Sequence, residues 1–262
     1  MARDLASSAG QLLLSLRASA GYGAAASPGD PSGAALVAAA ELRRQGDLQS
    51  QEYLAAELQR LRPHDCVLSE EAVDNPDRLA ADRVWIIDPL DGTREFGEPG
   101  RRDWAVHVAL WQDGDLVAGA VALPAQDRVL STAEPIARPA GSVREPMRVL
   151  VSRSRPPEFV QKMASELGAE LVAMGSAGAK VAAVITGEAD AYVHSGGQYE
   201  WDSAAPVAAA RAAGLHASRI DGSALRYNQP DPSVPDILIC PVECADQLLS
   251  AIVSARRDSR TG

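Results

Sequence analysis

The sequence predicts a mixed α+β and α/β fold in two halves, and three observations point to it. Residues 1–140 carry helix-like segments followed by short apolar runs with a hairpin signal. Residues 141–262 alternate strand-like and helix-like runs. A stretch with three prolines among small residues, 134–146, marks the junction. At 262 residues the chain can bury a large core, as one large domain or two intimate halves. No internal repeat is visible.

Taken in order, residues 5–17 are apolar at helical spacing and predict a helix. Residues 21–33, rich in Gly, Ala, Ser and Pro, predict a loop. Residues 34–44 look helical, and 47–61 predict a separate helix with Leu54, Leu58 and Leu61 on one face. Asp47, directly after Gly46, is most simply its N-cap. Cys66-Val67-Leu68 and residues 84–87 read as short strands, the second stopped by Pro89. Runs at 104–111, 116–123 and 128–131 complete a mainly antiparallel sheet, with Asp113-Gly114 as a hairpin turn. From Met147 onward, strands at 148–151, 171–174, 189–193 and 237–240 alternate with helices at 157–167, 178–186 and 202–213.

The formal charge of −10 leaves no basic surplus to neutralise a nucleic-acid polymer. A small phosphorylated ligand stays compatible, because bound cations and a few local basic groups can invert the field. Residues 1–16 lack the pattern of a signal peptide, and no apolar run reaches the length of a membrane span. Cys66, Cys240 and Cys244 give no disulfide framework, so a cytoplasmic, reducing location and no membrane are expected. Cys240 and Cys244 read as structural thiols.

The most informative stretch is Trp85-Ile86-Ile87-Asp88-Pro89-Leu90-Asp91-Gly92-Thr93, an apolar run that ends in two carboxylates, a glycine and a hydroxyl. Asp88 and Asp91 around a turn offer oxygens suited to a hard cation such as Mg²⁺, and Gly92 lets backbone N–H groups approach an anion. An ordinary turn with an Asx cap is the plain alternative. A second acidic pair, Glu70-Glu71, follows another short apolar run, and Asp202 stands far downstream in Trp201-Asp202-Ser203-Ala204-Ala205.

These three motifs, in this order, resemble those of the inositol monophosphatase superfamily of metal-dependent, lithium-sensitive phosphatases, over about residues 47–240. Asp91-Gly92-Thr93-Arg94-Glu95-Phe96, Glu200 before Trp201-Asp202, and Leu225-Arg226-Tyr227-Asn228 are similar to the CysQ-type subgroup, the 3′-phosphoadenosine 5′-phosphate phosphatases. So is Gly175-Ser176-Ala177-Gly178-Ala179-Lys180, although one residue longer. Where inositol enzymes place a ring-holding glutamate, this chain has His194-Ser195-Gly196-Gly197. Relatives carry a β-hairpin and a lysine between the first two helices, which residues 34–44 lack.

The resemblance implies a layered α/β/α/β/α sandwich packed as one body, with a homodimer as a common assembly. It implies that Glu70, Asp88 and the Leu90 carbonyl hold one Mg²⁺, and Asp88, Asp91 and Asp202 a second, while Glu70 touches a third ion through water. Thr93 would bond the nucleophilic water, with Asp47 accepting its proton. Gly92 and Thr93 amides would cradle the cleaved phosphate, with Ser176, Lys180 and Asp202 also facing substrate. Li⁺ would inhibit by displacing the second cation.

Each residue also has a plainer reading. Asp202 opens a predicted helix, where a carboxylate is stabilised by the macrodipole. Glu71 reads as a solvated neighbour or a partner of a ligand, and Lys180 as a surface lysine, although a cation beside the site favours a second phosphate over a neutral polyol. His107 and His194 show no zinc spacing, and His107 reads as a core or rim histidine in an apolar strand. The four tryptophans read as packing, with Trp201 steadying the Asp202 loop, and Tyr227 and Asn228 fit a nucleotide contact or, nearly as well, a closing turn. Three functions stand in order: hydrolysis of the 3′-phosphate of 3′-phosphoadenosine 5′-phosphate to AMP, hydrolysis of inositol 1-phosphate or fructose 1,6-bisphosphate, and an idle metal- or nucleotide-binding protein.

Overall fold

Along the strand Arg83–Asp91, Val84 and Ile86 enter one apolar core while Trp85 and Ile87 enter another. Successive strand side chains point to opposite faces, so an unbroken apolar run means a sheet covered on both sides. A computed structural model describes residues 1–22, 33–139, 141, 143–154 and 156–258 and shows what covers them.

The first sheet contains β1 (Cys66–Ser69), β2 (Arg83–Asp91), β3 (Ala105–Gln112), β4 (Asp115–Leu123) and β5 (Arg128–Ser131) in sequential order. β1 and β2 are parallel and the remaining pairs antiparallel. The second sheet contains β6 (Arg148–Ser152), β7 (Glu170–Met174), β8 (Ala191–Tyr199), β9 (His216–Ser218) and β10 (Ser233–Cys240) in the order β7-β6-β8-β10-β9. Here β7, β6 and β8 run parallel, and β10 is antiparallel to both neighbours.

Helices α1 (Ala2–Ser19) and α2 (Gly33–Leu61) cover the outer face of the first sheet, with Leu5, Leu13, Leu54 and Leu58 packed on Trp85 and Ile87. A four-residue helix, α3 (Thr93–Phe96), follows β2. Helix α4 (Phe159–Leu167) lies on the outer face of the second sheet, against Val149, Val151 and Leu238. Helices α5 (Ala177–Ile185) and α6 (Glu200–Ala212) fill the space between the sheets and share a core with Val84 and Ile86 on one side and Leu150 and Ile239 on the other. Helix α7 (Ala245–Asp258) joins α4 on the outer face. The result is the expected α/β/α/β/α sandwich. Small residues let the middle layer sit close: a Cβ on Gly119 of β4 would lie 2.6 Å from that of Ala208 on α6. Among the described residues no helix is long and apolar enough to cross a membrane.

Three sequence expectations are corrected. The helices expected around residues 34–44 and 47–61 are one helix, α2, so Asp47 lies mid-helix and is not an N-cap. Gly46 is there for contact, because its Cβ would lie 2.7 Å from the Phe96 ring and 2.8 Å from a Leu90 methyl. Pro89 does not end β2, which continues to Asp91 through an irregularity. Beyond the expected elements, β9 and α7 also form. Most of the expected loop at residues 21–33 lies outside the described residues.

Candidate active site

Ser69 stands beside Ile87 across the parallel pair β1 and β2, so the chain continues into Glu70 and Asp88 at neighbouring strand ends. Against β3, Asp88 pairs with His107 and Asp91 with Ala105, which places one extra residue in β2 between them. Residues three apart on a regular strand face opposite ways. The bulge around Pro89 and Leu90 cancels that alternation, and the Leu90 N–H donates to Asp88 Oδ1 at 3.0 Å to hold it. Carboxylate oxygens of Asp88, Asp91 and, from α6, Asp202 all lie within 4.8 Å of one another.

Gly92 follows with φ 84°, the left-handed conformation that glycine adopts without strain, and a Cβ there would press within 3.1–3.3 Å of the Asp103 carbonyl, Ser176 and Trp104. That turn starts α3 at Thr93. The Thr93 hydroxyl lies 3.1 Å from Asp47 Oδ1 and 3.0 Å from the Leu90 carbonyl, and with one hydrogen it donates to one of them at a time. Asp47 reaches it because Gly46 lets α2 sit against Leu90 and Phe96.

Asp91 is tied down most heavily. It accepts from the Ser176 hydroxyl and, at 2.7 Å, from the Gly178 N–H, and His107 Nε2 lies 3.2 Å from it. His107 is fully buried, and its Nδ1 donates to the Trp201 carbonyl at 3.1 Å. Gly178 makes room, since its Cβ would fall 2.2 Å from His107 Nε2. Asp202, in the first turn of α6, accepts from the Tyr199 N–H at 2.7 Å, beside a Tyr199–Trp201 stack.

The electrostatics are those of crowded like charges. Burial, then Glu70, Asp91 and Asp202, push Asp88 well above the usual carboxylate range. Burial and Asp91 raise Asp202 to about 6, and burial and Glu71 raise Asp47 to about 6. At the rim, desolvation of its carboxyl and then repulsion from Asp202 and Asp91 lift Glu70 to about 8. Burial would raise Asp91 too, but His107, Lys180 and Ser176 hold it at about 2. Asp88 Oδ2 is buried without a hydrogen-bond partner. Hard, buried oxygens that repel one another and include an unpartnered one fit a divalent cation such as Mg²⁺.

The structure therefore brings Asp47, Asp88, Leu90, Asp91, Gly92, Thr93, Ser176 and Asp202 together, with Glu70 at the rim. Ser176 turns its hydroxyl to Asp91 and accepts from the Ala179 N–H at 2.9 Å. Lys180 lines the same cleft but is buried, and its ammonium donates to the Met174, Gly175 and Ser176 carbonyls at 3.3, 3.2 and 2.7 Å. Two groups escaped sequence reasoning. His107 is one. The other is Arg78, 1% exposed, which donates to Asp74, to Asn228 Oδ1 at 2.7 Å and to the Gln229 carbonyl at 2.9 Å. Glu200 in turn accepts the Asn228 and Gln229 N–H groups at 2.6 and 2.8 Å, so the Tyr227-Asn228 segment anchors the start of α6 rather than lining the cleft.

A sandwich whose strand ends and helix starts converge on paired carboxylates defines a metal-dependent centre. The Inositol monophosphatase family model matches residues 2–260, and the chain belongs to that family. It is 49% identical to the 3′-phosphoadenosine 5′-phosphate phosphatase of Mycobacterium tuberculosis, over 95% of this chain and 91% of that protein. It is 34% identical to the 3′(2′),5′-bisphosphate nucleotidase CysQ of Escherichia coli, over 65% of this chain and 73% of that protein. Among solved structures, CysQ from Bacteroides thetaiotaomicron superposes with a TM-score of 0.75 at 26% identity, covering 92% of this chain and 95% of that one.

Proposed function

We propose that the protein is a Mg²⁺-dependent phosphatase that converts 3′-phosphoadenosine 5′-phosphate to AMP and phosphate. The convergence of Asp88, Asp91 and Asp202 carries this reading, in a chain half-identical to a relative named for that reaction. Glu70, Asp88 and the Leu90 carbonyl would hold one cation and Asp88, Asp91 and Asp202 another, with a third touched by Glu70. Bound there, Mg²⁺ lowers the pKa of a water and offsets charge on the phosphoryl and leaving oxygens.

The chain's own groups supply position and proton handling. With the Leu90 carbonyl engaged, the Thr93 hydroxyl donates to Asp47 and turns its lone pairs to the attacking water. Gly92 and Thr93 amides face the cleaved phosphate, and Ser176 and Lys180 shape the cleft, Ser176 by steadying Asp91. The site draws on both halves, residues 1–140 and 141–262. We further propose that Li⁺ inhibits, that the protein works in the cytoplasm, and that it forms a homodimer.

A panel of phosphorylated metabolites with Mg²⁺ tests the substrate. The bisphosphonucleoside should release phosphate fastest. Faster release from inositol 1-phosphate or fructose 1,6-bisphosphate would overturn the assignment.

A further inference from the structure

A bisphosphorylated nucleoside keeps one phosphate away from the reacting centre, and that second dianion needs a cation. Three long basic side chains among the described residues line the cleft that also holds Asp91 and Asp202: Lys180, Arg94 and Arg153. Lys180 is buried with its ammonium on three carbonyls. Arg94 is 61% exposed on a solvated stem and pairs with Glu98 at 3.2 Å.

Arg153 differs from both. It follows β6, its side chain is 25% exposed, and two carboxylates hold it. It donates to both oxygens of Glu98 at 2.9 Å, and its Nη2 lies 2.7 Å from Glu95 Oε1. Glu95 is itself fixed beneath the loop before α5, where a Cβ on Gly175 would fall 2.2 Å from its carboxyl carbon. Those contacts engage three of five guanidinium N–H groups, and of the other two Nε is buried, which leaves one Nη1 N–H for a ligand in the cleft. A guanidinium already held in place loses little further side-chain entropy when that N–H meets a phosphate.

We propose that Arg153, pre-oriented by Glu95 and Glu98, binds the substrate's non-reacting phosphate and sets the preference for bisphosphorylated over monophosphorylated nucleosides. This rests on the substrate reading above. The test compares kcat/KM for 3′-phosphoadenosine 5′-phosphate with that for 3′-AMP, which lacks the second phosphate, in the wild-type full chain, Arg153→Gln and Arg153→Lys. The ratio should fall by about 10- to 100-fold in Arg153→Gln, through KM for the bisphosphate, and by less in Arg153→Lys. An unchanged ratio, even with both rates lowered, overturns the inference alone, because misfolding or loss of structure lowers both rates together. A wild-type ratio near one also overturns this inference alone, whereas a wild-type chain that releases no phosphate from 3′-phosphoadenosine 5′-phosphate overturns the substrate reading and this inference with it.

Discussion

His107 Nε2 lies 3.2 Å from Asp91 Oδ2 with the histidine fully buried, directly behind the acidic centre. It is the leading influence holding Asp91 low against burial, and it keeps that carboxylate aimed while its own Nδ1 is tied to the Trp201 carbonyl. Groups behind a metal ligand typically change metal affinity by about 10–100-fold when removed. His107→Gln is therefore expected to weaken Mg²⁺ binding by that order, read by titration calorimetry. Unchanged affinity would remove His107 from the site's design.

Gly46 couples helix packing to chemistry. A methyl there would lie 2.7 Å from Phe96 and 2.8 Å from Leu90, the segment that carries Thr93. Gly46→Ala should cost about 1–3 kcal/mol by overpacking, despite alanine's better helix propensity. Denaturant melts give the stability and Thr93-dependent turnover should drop with it. A stabilised, fully active variant would contradict the contact.

The Glu200 carboxylate, 1% exposed, receives two backbone N–H groups two residues before Asp202. Glu200→Gln replaces one acceptor oxygen with a donor and should destabilise by about 1–3 kcal/mol. It should also weaken Mg²⁺ binding, since the start of α6 loses its anchor. Loss of stability with intact affinity would confine Glu200 to packing.

Glu70 at about 8 and Asp47 and Asp202 at about 6 sit above ordinary carboxylate values, so the metal-free fold holds protons that the unfolded chain releases near pH 4. Their stabilising contribution is full below that pH and is lost as pH rises through about 6 to 8. Asp91 has the opposite sign, but its transition lies near about 2. The metal-free Tm should fall from about pH 5 to about pH 9, and Mg²⁺ should raise Tm increasingly over that interval because it replaces the protons. A metal-free Tm that climbs with pH contradicts the charge crowding.

Much of the fold was legible because sheets covered on both faces leave unbroken apolar runs, as in residues 84–87 and 237–240, and small-residue helices such as α5 mark a tight middle layer. The acids were legible as motifs. Their convergence depends on the bulge at Pro89, which reads in sequence as a simple stop. Gly46 looked like a helix boundary because its reason, the Phe96 ring, lies 50 residues away in the chain. A lone histidine in an apolar strand carries no spacing signal, so His107 became visible once register set it opposite Asp88. Lys180 was legible as a charge beside the site, but its burial and its three carbonyl partners follow from the turn at Ser176, which no spacing in the sequence announces.

The central claim is that buried carboxylates gathered at the β2 bulge hold the cation that drives phosphate release. Turnover of 3′-phosphoadenosine 5′-phosphate by Asp88→Asn, with Mg²⁺ binding measured on the same folded sample, tests it most directly. A loss of about 10²-fold or more in kcat together with weakened Mg²⁺ binding is predicted. Wild-type turnover by Asp88→Asn would contradict it.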